Sequence, residues 1–161
     1  MNDEIAYIFS KRHDKILVDW LNKKKNPARL ATKDEDEKEK WDILVNSFRV
    51  DTKYPHACLN ATSKKLEVWF EYSKLCGPMT RKVDQVWYFI QGKYKCQLFF
   101  KKKELADFLA KKYDAGEITL KKSKTAKSGR DPSDMICYVA LDEVKKIAFA
   151  KGIEEWIQKT S

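Results

Sequence analysis

Asp42 and Asp51 are separated by eight residues, and Lys53 follows Asp51 by two. The segment that carries them, Trp41 to Tyr54 (WDILVNSFRVDTKY), consists of two runs of β-forming residues around Asn46-Ser47. That dipeptide is suited to a two-residue hairpin turn. Pairing across it sets Val45 opposite Phe48, Leu44 opposite Arg49, Ile43 opposite Val50 and Asp42 opposite Asp51. Directly opposed residues have Cβ atoms about 4.5–5.5 Å apart, so the two carboxylates should face each other, with Lys53 on the same face. Like charges opposed across a ladder destabilise it, which points to a cation between them. A hard divalent ion suits the pair. Magnesium takes one or two carboxylates and fills its remaining positions with water and phosphate oxygens, and Mn²⁺ should substitute for it. Lys53 beside such an ion could orient or deprotonate an attacking water and stabilise a pentacovalent phosphorus. The expected metal ligands are therefore Asp42 and Asp51, and the expected catalytic set is Asp42, Asp51 and Lys53.

Other chemistry-bearing residues have weaker claims. Glu71-Tyr-Ser-Lys74 resembles the same acid and lysine spacing with one residue extra, which on a strand would send the two side chains to opposite faces. His56, after Tyr54-Pro55, reads as an exposed loop residue, and His13 as part of a helix. Cys58, Cys76, Cys96 and Cys137 have no metal-site spacing and read as free thiols. The five Trp sit in apolar periodic settings and read as packing residues.

The net charge of +9 favours a polyanionic partner, nucleic acid first. Nearly all of the excess lies between Lys93 and Arg130, where twelve Lys or Arg face four acids. Within that stretch Lys121, Lys122, Lys124, Lys127 and Arg130 stand among Ser, Thr and Gly without acids, the composition of a flexible basic loop over about 121–134 that contacts DNA phosphates. Residues 34–39 (DEDEKE) form an acidic patch upstream of the hairpin.

A chain of 161 residues with 43% hydrophobic and 35% charged residues is expected to fold as one domain spanning 1–161. Apolar residues at helical spacing predict a helix from Asn2 or Asp3 to about Lys24, unbroken or interrupted near His13, ended by Pro27. A polar loop or short helix should follow, up to Glu39. After the hairpin come a strand over Leu66 to Tyr72, a break at Gly77-Pro78, and a hairpin of Gln85 to Ile90 with Tyr94 to Phe100, whose very apolar first strand should be central. A helix over Glu104 to Tyr113, a strand over Met135 to Leu141 and a helix from Asp142 to about Lys159, interrupted near Gly152, complete the order. This is an α/β or α+β domain built on a mixed sheet.

The pattern Asp42, eight residues, Asp51-Thr-Lys53 resembles the core motif of the PD-(D/E)XK nuclease superfamily, and the order of a helix, a motif-bearing hairpin and later strands and helices is similar as well. Segments such as LEVWFEYSK, VDQVWYFI and SDMICYVALDEV resemble small nucleases of phages and mobile elements, including homing endonucleases. Trp41-Asp42 stands where the motif has Pro-Asp, and the Q-x-x-x-Y helix motif of one branch is absent, because Phe89 follows Gln85 by four. The resemblance implies a restriction-endonuclease-like core, a central sheet flanked by helices and Mg²⁺-dependent endonuclease activity on DNA. It also implies a helix acid at the metal, with Asp14 in the best register and Glu4 second. An intracellular, cytoplasmic protein of bacterial or phage type is expected, because the N-terminus has acids where a signal peptide has basic residues and no apolar run reaches the ~18 residues of a membrane span. Cutting both strands needs two active centres, which predicts a homodimer or higher homo-oligomer using Leu98 to Phe100, or Ile153, Trp156 and Ile157. The alternative is a basic nucleic-acid-binding or interaction protein of phage or plasmid type without chemistry.

Overall fold

The computed structural model describes residues 3–76, 82–122 and 135–161, with side chains of the first helix described from Phe9 onward. Helix α1 (Asp3–Lys23) is continuous. His13 does not break it: its Nδ1 lies 3.0 Å from the Phe9 carbonyl oxygen one turn back, and its ring sits 4.0 Å from that of Phe9. The short strand β1 (Ala28–Leu30) and helix α2 (Lys33–Lys38) follow. Sequence periodicity missed β1, whose three residues are too few to alternate visibly. The helix alternative at 33–38 is the one realised. Thr32 accepts the Glu35 backbone N–H while the Glu35 carboxylate accepts that of Thr32, closing a capping box.

Next come β2 (Ile43–Val45) and β3 (Phe48–Lys53), joined at Asn46 and Ser47 with φ of 49° and 79°. Both turn residues being left-handed gives the twist that suits a two-residue hairpin. The register is the expected one through Ile43 opposite Val50. The chain continues through β4 (Cys58–Leu59), β5 (Leu66–Phe70) and helix α3 (Tyr72–Cys76). Strand β6 (Gln85–Ile90), a 3-10 turn at Gly92–Tyr94 and β7 (Cys96–Lys101) form the second expected hairpin. Helix α4 (Lys102–Asp114), strands β8 (Lys121–Lys122) and β9 (Met135–Ala140), and helices α5 (Leu141–Ile147) and α6 (Ile153–Thr160) complete the described elements. The expected break at Gly77-Pro78 lies outside the described residues.

The mixed α and β content agrees with the sequence, but the strands form two sheets. The five-stranded sheet has the order β1-β2-β3-β6-β7, antiparallel except for the β3–β6 pair, and the four-stranded sheet has the order β4-β5-β9-β8. The long excursion from β3 to β6 permits their parallel pairing. Strand β6 lies inside the first sheet, with every residue buried except Phe89.

One face of the five-stranded sheet packs on α1 and α6 through Val18, Leu21, Val50, Trp87, Phe99 and Trp156. The other packs on the second sheet, α4 and α5 through Phe70, Val86, Tyr88, Phe100, Leu105 and Val144. Strand β3 thus lies between the two cores, with Phe48 and Val50 entering the one formed with α1 and α6. This layering corrects the expected contact surfaces for oligomerisation: Leu98, Phe99, Phe100 and Trp156 are buried in the chain's own interior. Among the described residues no helix is long and apolar enough to cross a membrane.

Candidate functional site

The site forms at the C-terminal end of β3, where four neighbouring elements deliver charge. The apolar stripe of α1 that carries Val18 and Leu21 continues toward the helix start as Asp14 and Lys11, at three- and four-residue spacing. Asp14 is 1% exposed, and its Oδ1 accepts hydrogen bonds from the Thr52 hydroxyl at 2.6 Å and the Tyr54 hydroxyl at 2.5 Å. Burial raises its pKa above the ordinary carboxylate value, against the pull of these two hydrogen bonds.

Asp42 stands just outside β2, where the ladder ends. Its backbone N–H bonds to the Val50 carbonyl at 2.9 Å, and its Oδ2 accepts the Thr52 backbone N–H at 2.8 Å. The carboxylate therefore takes a strand N–H that a backbone carbonyl would otherwise accept. Burial, then the charge of Asp51, pushes the Asp42 carboxyl well above its usual range. The regular register ends at Ile43 opposite Val50, one residue short of the expected pairing of Asp42 with Asp51, and what links the two carboxyl groups is the charge of Asp51 acting on Asp42.

Asp51 is 4% exposed, and its Oδ1 lies 3.5 Å from Lys53 Nζ. Lys53 also pairs with Oε1 of Glu71, whose Oε2 lies 2.7 Å from Lys74 Nζ. Sequence reasoning placed Glu71 and Lys74 at the periphery by assuming that the strand continued through them. The strand ends at Phe70 and α3 starts at Tyr72, so the spacing between Glu71 and Lys74 is helical and brings both to one carboxylate–ammonium contact. Glu71 is the residue the sequence analysis missed. The signal for it was the change from period two to helical spacing after Phe70.

Lys11 reaches Asp36 at 3.1 Å and Asp42 at 3.9 Å, which ties the acidic helix α2 to the site. The other acids of the patch are largely occupied nearby: Glu35 by Arg29 at 2.7 Å and Asp34 by Lys38 at 3.0 Å. Between α1, β1 and α2 a cleft of about 450 Å³ opens beside Lys11, lined also by Leu30, Lys33 and Asp36.

Among the described residues, Asp14, Asp42, Asp51 and Glu71 thus gather with Lys11, Lys53 and Lys74. Among the described residues no group of three or more His, Cys, Asp or Glu is arranged to hold a metal ion. All four carboxylates have partners inside the chain: Asp14 accepts from Thr52 and Tyr54, Asp42 from Thr52, and Asp51 and Glu71 face Lys53. The side chain of Glu4 is not among those described. His56 is exposed, with its ring against Gly92, whose φ of +83° puts its Hα where a Cβ would come within 2.8 Å of His56 Nδ1.

The predicted basic loop is described only at its start. Lys121 and Lys122 are exposed and form β8, antiparallel to β9, rather than a loop. Lys124, Lys127 and Arg130 lie outside the described residues. The four cysteines are free thiols. No protein-family model matches the chain, and no curated protein or solved structure matches it.

Proposed function

We propose that the chain is a Mg²⁺-dependent endonuclease that hydrolyses DNA phosphodiester bonds, with a restriction-endonuclease-like arrangement of its site. The observation that carries this reading is the gathering of Asp42 and Asp51 at the end of β3, where the charge of one bears on the other, with Lys53 3.5 Å from Asp51. Two neighbouring carboxyl groups whose charges repel, one of them buried, form a place where a divalent cation relieves repulsion. Asp42 and Asp51 would hold the ion, and Asp14 would lie behind them. Bound there, magnesium supplies a Lewis acid for a phosphoryl oxygen and lowers the pKa of a coordinated water.

The remaining work falls to the chain. Lys53, an ammonium held between Asp51 and Glu71, has its direction fixed at both sides and offers positive charge to the phosphorane. This makes electrostatic stabilisation a better role for it than proton abstraction. Thr52 and Tyr54 fix Asp14, and Thr52 also holds Asp42 through its backbone. The basic residues from Lys93 to Arg130 supply the sequence-independent attraction to the phosphate backbone. For cleavage of both strands, the proposed active form is a homodimer or higher homo-oligomer.

A reading without chemistry, in which the chain only binds nucleic acid, is favoured by the engagement of Asp14 and Glu71 with donors inside the chain. Supercoiled plasmid separates the two. Incubation with MgCl₂ should give nicked or linear DNA, EDTA should stop the reaction, and Asp51→Ala should be inert. Equal products from wild type and Asp51→Ala would sink the endonuclease reading.

A further inference from the structure

The outer face of the four-stranded sheet carries an aromatic pair that no core claims. On β9, Cys137 and Val139 are buried, so Tyr138 between them points the other way and is 36% exposed. Its register partner on β5 is Trp69, which sets the two aromatic side chains on one face as a directly opposed pair. On the neighbouring strand, Lys121 pairs with Ile136 in the same register family, and its Nζ lies 5.6 Å from the centre of the Tyr138 ring. That distance is within cation–π range. Lys122 beside it is also exposed.

This face leads into the candidate site. The Trp69 ring meets the Tyr88 ring edge-on at 6.4 Å, and the Trp69 carbonyl accepts the Tyr88 hydroxyl at 3.0 Å. Tyr88 is the register partner of Lys53 across the β3–β6 pair. Two residues beyond Trp69 comes Glu71, the carboxylate that pairs with Lys53. The aromatic face and the candidate site are thus joined over two residues of chain, from Trp69 near the end of β5 to Glu71 just past it.

We propose that Tyr138 and Trp69, flanked by Lys121, form a stacking platform for unpaired nucleotides, and that the substrate of the neighbouring site is DNA with a single-stranded segment. The proposal rests on the endonuclease reading for its substrate and on the sheet face for its specificity. Aromatic rings on an open sheet accept bases through their π faces, which a duplex keeps stacked inside, whereas lysines at the rim meet the phosphates. The charge complementarity is local as well as global: Lys121 lies over the ring within a chain of net charge +9.

The test compares a fluorescein-labelled twelve-nucleotide oligothymidine with a duplex of equal length, bound by the full chain in EDTA at fixed salt. The wild type should prefer the single strand. Tyr138→Ala should weaken that binding by about tenfold and duplex binding by less than about twofold, because a base loses its stacking partner only on the single strand. Tyr138→Phe should restore it, and Lys121→Gln should lower the salt slope for the single strand by ~0.7. Equal losses on both DNAs, or no loss in Tyr138→Ala, would overturn the platform. With Mg²⁺, a duplex carrying a single-stranded tail should be cut faster than a blunt one. Because binding is read without metal, an inert chain that keeps the single-strand preference counts against the endonuclease alone. Efficient cutting of blunt duplex without that preference counts against the platform alone.

Discussion

Two places in the interior of this chain accept polar atoms, and they do so in opposite ways. At the start of β6 the Oε1 atom of Gln85 accepts the indole N–H of Trp87 at 2.9 Å and that of Trp156 at 2.8 Å. All three residues are buried, and the amide oxygen has two lone pairs for two donors. The arrangement is neutral, saturated and anchors α6 to the sheet. At the end of β3, the charge of Asp51 bears on Asp42, and the Thr52 hydroxyl, with one proton, faces Asp14 at 2.6 Å and Asp42 at 3.3 Å. One donor proton cannot serve both. The first node is what a buried polar group looks like when it serves stability, and the second is strained electrostatically in a way that stability alone would not retain.

Substitutions should separate the two nodes most sharply through activity. Asp51→Asn and Asp42→Asn are each expected to reduce plasmid cleavage by ~10³-fold or more, while thermal melting stays level or rises as the carboxylate repulsion is removed. Cleavage at wild-type rate, or a melting point lowered by several degrees, would place the acids with the structural node instead.

Gln85→Leu should do the reverse. It strands two buried indole N–H groups, at about 1–3 kcal/mol for each unsatisfied donor, so urea denaturation should show a loss of ~2–4 kcal/mol with cleavage per folded molecule retained. A loss below about 0.5 kcal/mol would mean that the indoles find other acceptors.

A smaller effect is expected from the basic residues after α4. Replacing Lys121, Lys122, Lys124 and Lys127 by Ala should flatten the slope of log K against log salt for duplex DNA by up to about 3.6. Asp51→Ala should leave that slope unchanged in EDTA. An unchanged slope in the fourfold variant would remove these lysines from the binding surface.

The smallest effect belongs to an exposed pair, Arg29 and Glu35. The Arg29 guanidinium holds the Glu35 carboxyl at about 2, below its ordinary value of 4.5, mainly through a side-chain hydrogen bond. A depressed folded-state value means that the pair supports the fold fully above about 4.5 and loses that support as pH falls through about 2. A carbon-detected titration of Glu35 should show the low midpoint, and Arg29→Gln should return it toward 4.5. If both proteins titrate at the same pH, the guanidinium is not the cause.

Much of this was legible in the sequence because period and turn chemistry agree locally. Asn46-Ser47 accepts left-handed backbone, which fixes the first hairpin and with it the approach of Asp42 to Asp51. Strand β6 announced its interior position by an unbroken apolar run. What was not legible depended on contacts between segments distant in the chain. Dividing the strands between two sheets is decided by which faces meet, and QVWYFI and LEVWF look equally apt for either sheet. Leu98 to Phe100 read as an exposed aromatic edge strand, but its side chains are buried on both faces, against α4 and the second sheet on one and α6 on the other. Glu71 escaped notice because its importance comes from Lys53, eighteen positions earlier, and from a strand that stops one residue before it.

The bond from the Thr52 amide to the Asp42 carboxylate gives the site its own reporter. At 2.8 Å, that single backbone proton reads the charge carried by Asp42. Any ion that draws electron density from the carboxylate should move the Thr52 amide resonance, and loss of the carboxylate should speed its exchange with solvent deuterium. Occupancy of the candidate centre could thus be followed in a nitrogen–proton spectrum without substrate, turnover or an added label on DNA.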